Sequence, residues 1–228
     1  MNPITQTPYS SSVGVARNRV LRNTYALLAL SMVPTVIGAW LGVATGIGAA
    51  MLGSPGLSAI IFLAGAFGFM FAIERNKDSG LGVALLLAFT LFMGLMLSRL
   101  VGFVLGMQNG ANLIMTAFGG TALVFAAMAS LAGTIKKDLS GLGRFLFIGA
   151  IVLLVAGLAN IFLQMPALTL TLSVIAIVIF SAFILVDLQR VVNGGETNYV
   201  VATLGVYLSV YNVFSSLLVL LGITSGDD

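Results

Sequence analysis

Asp187-Leu-Gln-Arg-Val-Val-Asn-Gly-Gly-Glu-Thr-Asn-Tyr199 leads into an apolar run that ends at Gly222, and the side chains of that run decide how the chain folds. Steps of four along it give Tyr199, Thr203, Tyr207, Tyr211 and Ser215, a ridge of hydroxyls on one side of a helix. A second stripe holds Ala202, Gly205, Ser209, Asn212 and Ser216. An unpaired polar group in hydrocarbon costs several kcal/mol, so a helix bathed in lipid has no use for either stripe. The run is therefore expected at the centre of a membrane bundle, with the other helices around it.

Composition points to the same environment. Of the 228 residues, 59% are hydrophobic and only 7% charged, whereas soluble domains carry about 25% charged residues. The mean hydropathy is +1.13. These values describe a chain that crosses a bilayer several times. The net charge of +3 is spread over short connections and forms no continuous basic patch, so no nucleic-acid partner is expected. Cysteine and histidine are both absent. Thiolate chemistry, soft-metal sites, the commonest general base and the usual pH switch go with them.

Residues 1–24 read as a disordered cytoplasmic tail, with Pro3, Pro8, a serine run and then Arg17, Arg19 and Arg22. The apolar run behind it has the length of a full span rather than a signal-peptide core. Runs of about 18 to 25 residues then recur, near the ~20 needed to cross hydrocarbon. The spans are expected near Tyr25–Gly46, Gly56–Ile73, Leu81–Leu105, Ala111–Ile135, Leu142–Leu163, Leu168–Val186 and Tyr199–Gly222. The fold class is thus an all-α membrane protein of seven transmembrane helices, the last central and surrounded by the other six. The bundle occupies residues 25–223 and a short outside tail residues 224–228. Pro34 is expected to kink the first span without ending it.

The connections set the orientation. With the N-terminus cytoplasmic, the inner segments hold Arg17, Arg19, Arg22, Arg75, Lys77, Lys136, Lys137, Arg144 and Arg190, and the outer ones hold only Arg99. Positive residues collect inside, so the C-terminus is expected outside, and Arg99 snorkels to the outer headgroups. Stripes of small residues mark close helix approaches: Gly38, Gly42 and Gly46 on the first span, Gly94, Ser98, Gly102 and Gly106 on the third, Ala122, Ala126 and Ser130 on the fourth. Asn160, Gln164 and Asn212 are expected to form hydrogen bonds between helices.

Asp187 is the ionisable residue nearest a span interior. A carboxylate at the end of span six opposes the negative end of the helix dipole and needs a partner, for which Arg190 and Arg75 are the candidates. A structural ion pair and a titratable latch both fit that arrangement. Glu74 and Glu196, also at the cytoplasmic mouth, add oxygens that a hard cation such as Ca²⁺ could use. Enzymatic readings fail one by one. Zinc-protease and serine-protease sites need histidine, an aspartyl site needs two facing carboxylates, and a retinal site needs a lysine inside the bundle. No enzyme activity and no cofactor are expected.

Five segments carry a resemblance: Val20-Leu-Arg-Asn-Thr-Tyr25, Phe118-Gly-Gly-Thr-Ala-Leu-Val-Phe125, Ala159-Asn-Ile-Phe-Leu-Gln-Met-Pro-Ala-Leu168, Gly194-Gly-Glu-Thr-Asn-Tyr199 and Tyr207-Leu-Ser-Val-Tyr-Asn-Val-Phe214. Together they resemble the Bax inhibitor-1 family in its bacterial YccA-like branch, whose members modulate the membrane protease FtsH. The resemblance implies a multi-pass protein of the bacterial inner membrane that binds the FtsH protease complex in membrane-protein quality control. Residues 1–24, extended, would reach ~80 Å, far enough to enter a protease pore, with Arg17, Arg19 and Arg22 in the engaging segment. The calcium-leak members of the family imply an alternative, a pH-sensitive cation channel gated by two carboxylates. Asp187 matches the first of these, and Ser209 stands where the second would be.

Overall fold

A computed structural model of the chain describes residues 9–46, 55–135 and 137–225. They form seven helices: α1 (Tyr9–Thr45), α2 (Pro55–Asn76), α3 (Gly80–Leu105), α4 (Gly110–Thr134), α5 (Ser140–Leu163), α6 (Pro166–Val192) and α7 (Tyr199–Ser225). All seven contain a stretch long and apolar enough to cross a membrane. Proline opens α2 and α6, where the missing N–H is no loss. α5 stops at Gln164, whose left-handed φ of 51° lets its N–H reach the Asn160 carbonyl at 2.8 Å. Within the helices, hydroxyls turn back on their own backbone: Ser31 donates to Leu27 O at 2.8 Å and Thr121 to Ala117 O at 2.7 Å. Such bonds keep polar side chains satisfied where no water reaches them.

Helix ends shift by about three residues at α2, which runs to Asn76, and at α7, which runs to Ser225, and two boundaries differ by more. Residues 9–24, expected in a disordered tail, are the opening turns of α1. No proline interrupts the chain between Pro8 and Pro34, and the Val, Ala, Arg and Leu residues there are compatible with helix. Arg17, Arg19 and Arg22 therefore ride on a helix. At the other site, α6 continues past Val186 to Val192, so Asp187 lies within the helix rather than after it. The helix also runs on through Pro34. Residues 1–8, Lys136 and the terminal Asp227 and Asp228 lie outside the described residues.

α1 and α3 form the tightest pair, and small residues allow it. A Cβ at Gly38 would strike the Leu91 carbonyl oxygen, one at Gly94 the Thr35 carbonyl oxygen, and one at Gly42 the Ser98 side chain. The backbones thus touch along one seam, with glycine on both sides of it. The expected stripes on the first and third spans meet each other. The stripe on the fourth does not: Ala122, Ala126 and Ser130 are all exposed. α4 packs on α6, α7 and the edge of α3, and leaves that face outward.

α7 lies against the α1–α3 pair and makes its largest contact with α6. No residue from Tyr199 to Ile223 is exposed, which holds for no other helix among the described residues. The expected ring of six is narrower, however. α1, α2, α3, α4 and α6 pack on α7, whereas α5 leans on α6 and α2 and stands outside the ring. α5 is apolar on every face and polar nowhere along its middle, so lipid suits it as well as protein does.

Three connections converge at one end of the bundle. Asn198, before α7, donates through Nδ2 to the Lys77 carbonyl at 3.0 Å and to Asp78 Oδ1 at 2.8 Å, tying the α6–α7 link to the α2–α3 link. Gln189 of α6 donates to the Ile135 and Lys137 carbonyls at 3.0 and 2.9 Å and accepts from the Leu139 N–H at 3.1 Å, holding the α4–α5 link. By chain connectivity the start of α1 lies at this end too. Arg19, Arg22, Arg75, Lys77, Lys137, Arg144 and Arg190 therefore share one end, and Arg99 lies toward the other.

Candidate functional site

The polar stripe of α7 is folded into the α1–α3 seam. Tyr207 is 1% exposed, and its hydroxyl lies 2.9 Å from Thr35 Oγ1. Thr35 also donates to the Ser31 carbonyl at 2.8 Å, so in the Thr35–Tyr207 bond the phenol is the donor. One turn on, the Tyr211 hydroxyl donates to the Met93 carbonyl of α3 at 3.3 Å. The rings of Tyr207 and Phe89 meet edge to face at 6.0 Å. Each end of the pair thus grips a different neighbour, α1 through Thr35 and α3 through Met93.

Thr203 donates to the Tyr199 carbonyl at 2.6 Å and also reaches the Thr24 carbonyl of α1 at 3.4 Å, and the remaining members look inward to their own helix. Ser209 donates to the Gly205 carbonyl at 3.1 Å, Asn212 to Leu208 at 2.8 Å and Ser215 to Asn212 at 3.2 Å, while Ser216 is half-buried. Ser209 is buried, and its hydroxyl is occupied without any carboxylate. Asn212 was expected to bridge helices, and it does not. Asn160 does: its Nδ2 donates to Thr169 Oγ1 at 2.7 Å across the α5–α6 turn, and its Oδ1 accepts from Met165 N–H at 3.1 Å.

Asp187 sits at the joint of α6 and α7. A Cβ built on Gly205 would lie 3.1 Å from its Oδ2, so the carboxylate fills the place a side chain at 205 would take. The charges acting on it are those of Arg190 and Glu196. No direct ion pair joins Asp187 to Arg190 among the described residues.

Of the wider latch expected from the sequence, Arg190 and Glu196 act on Asp187, while Glu74 and Arg75 are not among the charges that do. Glu74 is held by Lys77 in an i,i+3 pair at the exposed end of α2, and that hydrogen bond raises the Lys77 pKa above its ordinary value. Glu196 accepts the Asn198 N–H at 2.9 Å and so shapes its own turn. Arg75 is exposed at the end of α2. Among the described residues, no three acidic side chains gather in a group able to hold a metal ion. Arg19 and Arg22 are exposed on α1.

Two residues were passed over in the sequence. Gln189 is 3% exposed and makes three bonds to the α4–α5 link. An uncharged amide beside the basic end was its only signal. Asn198 accepts from the Val200 and Val201 N–H groups at 2.9 and 3.2 Å. An asparagine immediately ahead of an apolar run is a helix-start signal, and it was available.

Beside the tyrosines, a groove of about 770 Å³ opens between α1 and α4. Its mouth carries Val36, Trp40, Met115 and Phe118, and Tyr207 and Tyr211 form part of its floor. The rings of Tyr25 and Phe125 close one end of it, 6.0 Å apart and edge to face. This is the space that the exposed Ala122 borders.

Comparison with known proteins gives a consistent result. The family model described as inhibitor of apoptosis-promoting Bax1 matches residues 17–226. The chain is 40% identical over 227 residues, covering all of both chains, to the modulator of FtsH protease YccA of Escherichia coli (strain K12). The similarity is the same for a protein of Escherichia coli O6:H1 named inner membrane protein YccA. An uncharacterised protein of Neisseria meningitidis serogroup A is 39% identical over 215 residues, 94% of this chain and 95% of the relative.

Proposed function

We propose that this chain, which belongs to the Bax inhibitor-1 family, is an inner-membrane regulatory protein that binds the FtsH protease complex and modulates its degradation of other membrane proteins. The observation that carries this reading is end-to-end similarity to a relative named for that role, with no segment of either chain left over. The polar groups fit a regulator as well. The buried hydroxyls and amides either return to their own helix, as at Ser31 and Ser209, or join neighbouring segments, as at Thr35–Tyr207 and Gln189.

The basic end is read as cytoplasmic by the positive-inside rule, which leaves the C-terminus outside. On that reading Arg19 and Arg22, exposed at the start of α1, and the chain ahead of them are the part offered to a cytoplasmic protease. Asp187 serves as the joint that holds α6 on α7 behind this surface, in the place a titratable latch would take.

The test is capture of the full-length protein from bacterial membranes, together with the half-life of a membrane substrate of the protease. We expect the protease complex in the captured material and a longer substrate half-life when the chain is overproduced. Removal of residues 2–16 should abolish both effects and leave the bundle folded. Capture of no protease, with an unchanged half-life, would sink the reading.

A further inference from the structure

Charged residues that the polar core leaves unused come together between α5 and α6. A cavity of about 530 Å³ opens there, lined by Arg144, Phe147, Ile148, Phe183, Asp187 and Arg190 among others. Its polarity is graded along the helix axes. Arg144 lies in the opening turns of α5 and Arg190 in the last turn of α6, both at the basic end of the bundle. At 1.5 Å per residue, Ile148 is about 6 Å deeper than Arg144, and Phe183 about 10 Å deeper than Arg190. The cavity is thus cationic where headgroups lie and aromatic or aliphatic where acyl chains begin.

It also faces lipid. α5 is the least enclosed of the seven spans, and Phe147 and Ile148 are each 61% exposed. The arginines are available: among the described residues neither Arg144 nor Arg190 is in an ion pair, and both are exposed. Asp187 offsets only one of the two charges. Its carboxylate is turned to Gly205 on the α7 side, where the two helices meet. Two guanidinium groups and one carboxylate leave a net charge of +1, which one phosphodiester anion balances. A guanidinium fork also matches phosphate oxygens in shape. Basic pockets between transmembrane helices at the cytoplasmic face are suited to anionic headgroups for these reasons.

We propose that this cavity is a binding site for an anionic phospholipid, its phosphate held between Arg144 and Arg190 and its acyl chains laid along Phe147, Ile148 and Phe183. The site is independent of the protease reading, since its ligand is a component of the bilayer itself. An occupant there also braces α5, the helix with the least protein around it, against α6.

The experiment uses the full-length protein in phosphatidylcholine nanodiscs doped with phosphatidylglycerol, cardiolipin or phosphatidylethanolamine, with bound lipid counted by native mass spectrometry. Retention of phosphatidylglycerol or cardiolipin should exceed that of phosphatidylethanolamine by about tenfold, and the pair R144Q and R190Q should remove that preference. R144K with R190K, which keeps the charge and loses the fork, should keep part of it. If the double glutamine variant does not fold, R144Q alone, on the lipid-facing helix, should lower the preference at least threefold. Equal retention of phosphatidylethanolamine, or an undiminished preference in the folded glutamine variants, overturns the proposal. Glycerol 3-phosphate competing as strongly as the lipid would do the same, because the site would then be one for a soluble anion.

Discussion

Two stripes of small residues at the same four-residue spacing have opposite fates in this bundle. Gly38 and Gly42 on α1 meet Gly94 and Ser98 on α3 so closely that a methyl group at any of the three glycines would collide with α1 or α3 atoms across the seam. Ala122, Ala126 and Ser130 on α4 meet nothing comparable, and face outward beside an open groove. The stripes differ in what lies opposite. Close approach needs a small surface on both partners, and only α1 and α3 present one to each other. Spacing within a helix permits a contact, and the complementary helix makes it.

That contrast can be broken most severely at Gly94. Gly94→Leu should drive a side chain into the α1 backbone and cost about 3 kcal/mol or more, read as a lower midpoint in detergent unfolding. A normal midpoint would mean the seam is not tight. Next comes Tyr207→Phe, which removes the hydroxyl that grips Thr35 while Thr35 keeps its own bond to Ser31. A loss of about 1 kcal/mol is expected. If Tyr207→Phe leaves the midpoint untouched while Gly94→Leu lowers it, the seam is held by packing alone.

A smaller effect separates two glycines. Gly205→Ala should shift the α6–α7 joint, because its Cβ would sit 3.1 Å from the Asp187 carboxylate, whereas Gly119→Ala meets nothing within 4 Å. The difference between them should be about 0.5–1 kcal/mol, and an Asp187→Asn background should shrink it. Smallest of all is Ala126→Leu on the exposed stripe, which should stay within about 0.5 kcal/mol of the parent in the same unfolding measurement. A large loss there would show that the α4 face is covered after all.

The spans were legible because hydrocarbon allows little else. A run of ~20 apolar residues has one way to satisfy its backbone, so the seven helices and their order follow from hydropathy. That Tyr207 and Tyr211 would find partners was legible for a related reason, since their hydroxyls cannot face acyl chains alone. Partner identity was not. Glu74 is expected beside Asp187 at the same end of the bundle, yet Lys77, three residues on, holds it, whereas Glu196 accepts from Asn198 and still acts on Asp187. Local pairing takes Glu74 because the chain already holds Lys77 close, while bringing Glu74 to Asp187 would cost further ordering. The same blindness explains α5. Nothing in an evenly apolar helix says whether protein or lipid should cover it.

The enclosure of α7 carries a consequence for biogenesis. This helix leaves the ribosome after α1 and α3 yet packs against both, so the chain made before it holds Thr35, Phe89 and the Met93 carbonyl without their α7 partners. Translation from the end of α3 to the end of α7 takes on the order of ten seconds. During that interval the α1–α3 seam lacks the two tyrosines that later cover it, while Thr35 stays bonded to the Ser31 carbonyl. Closure of the bundle over this seam therefore waits on the synthesis of α7.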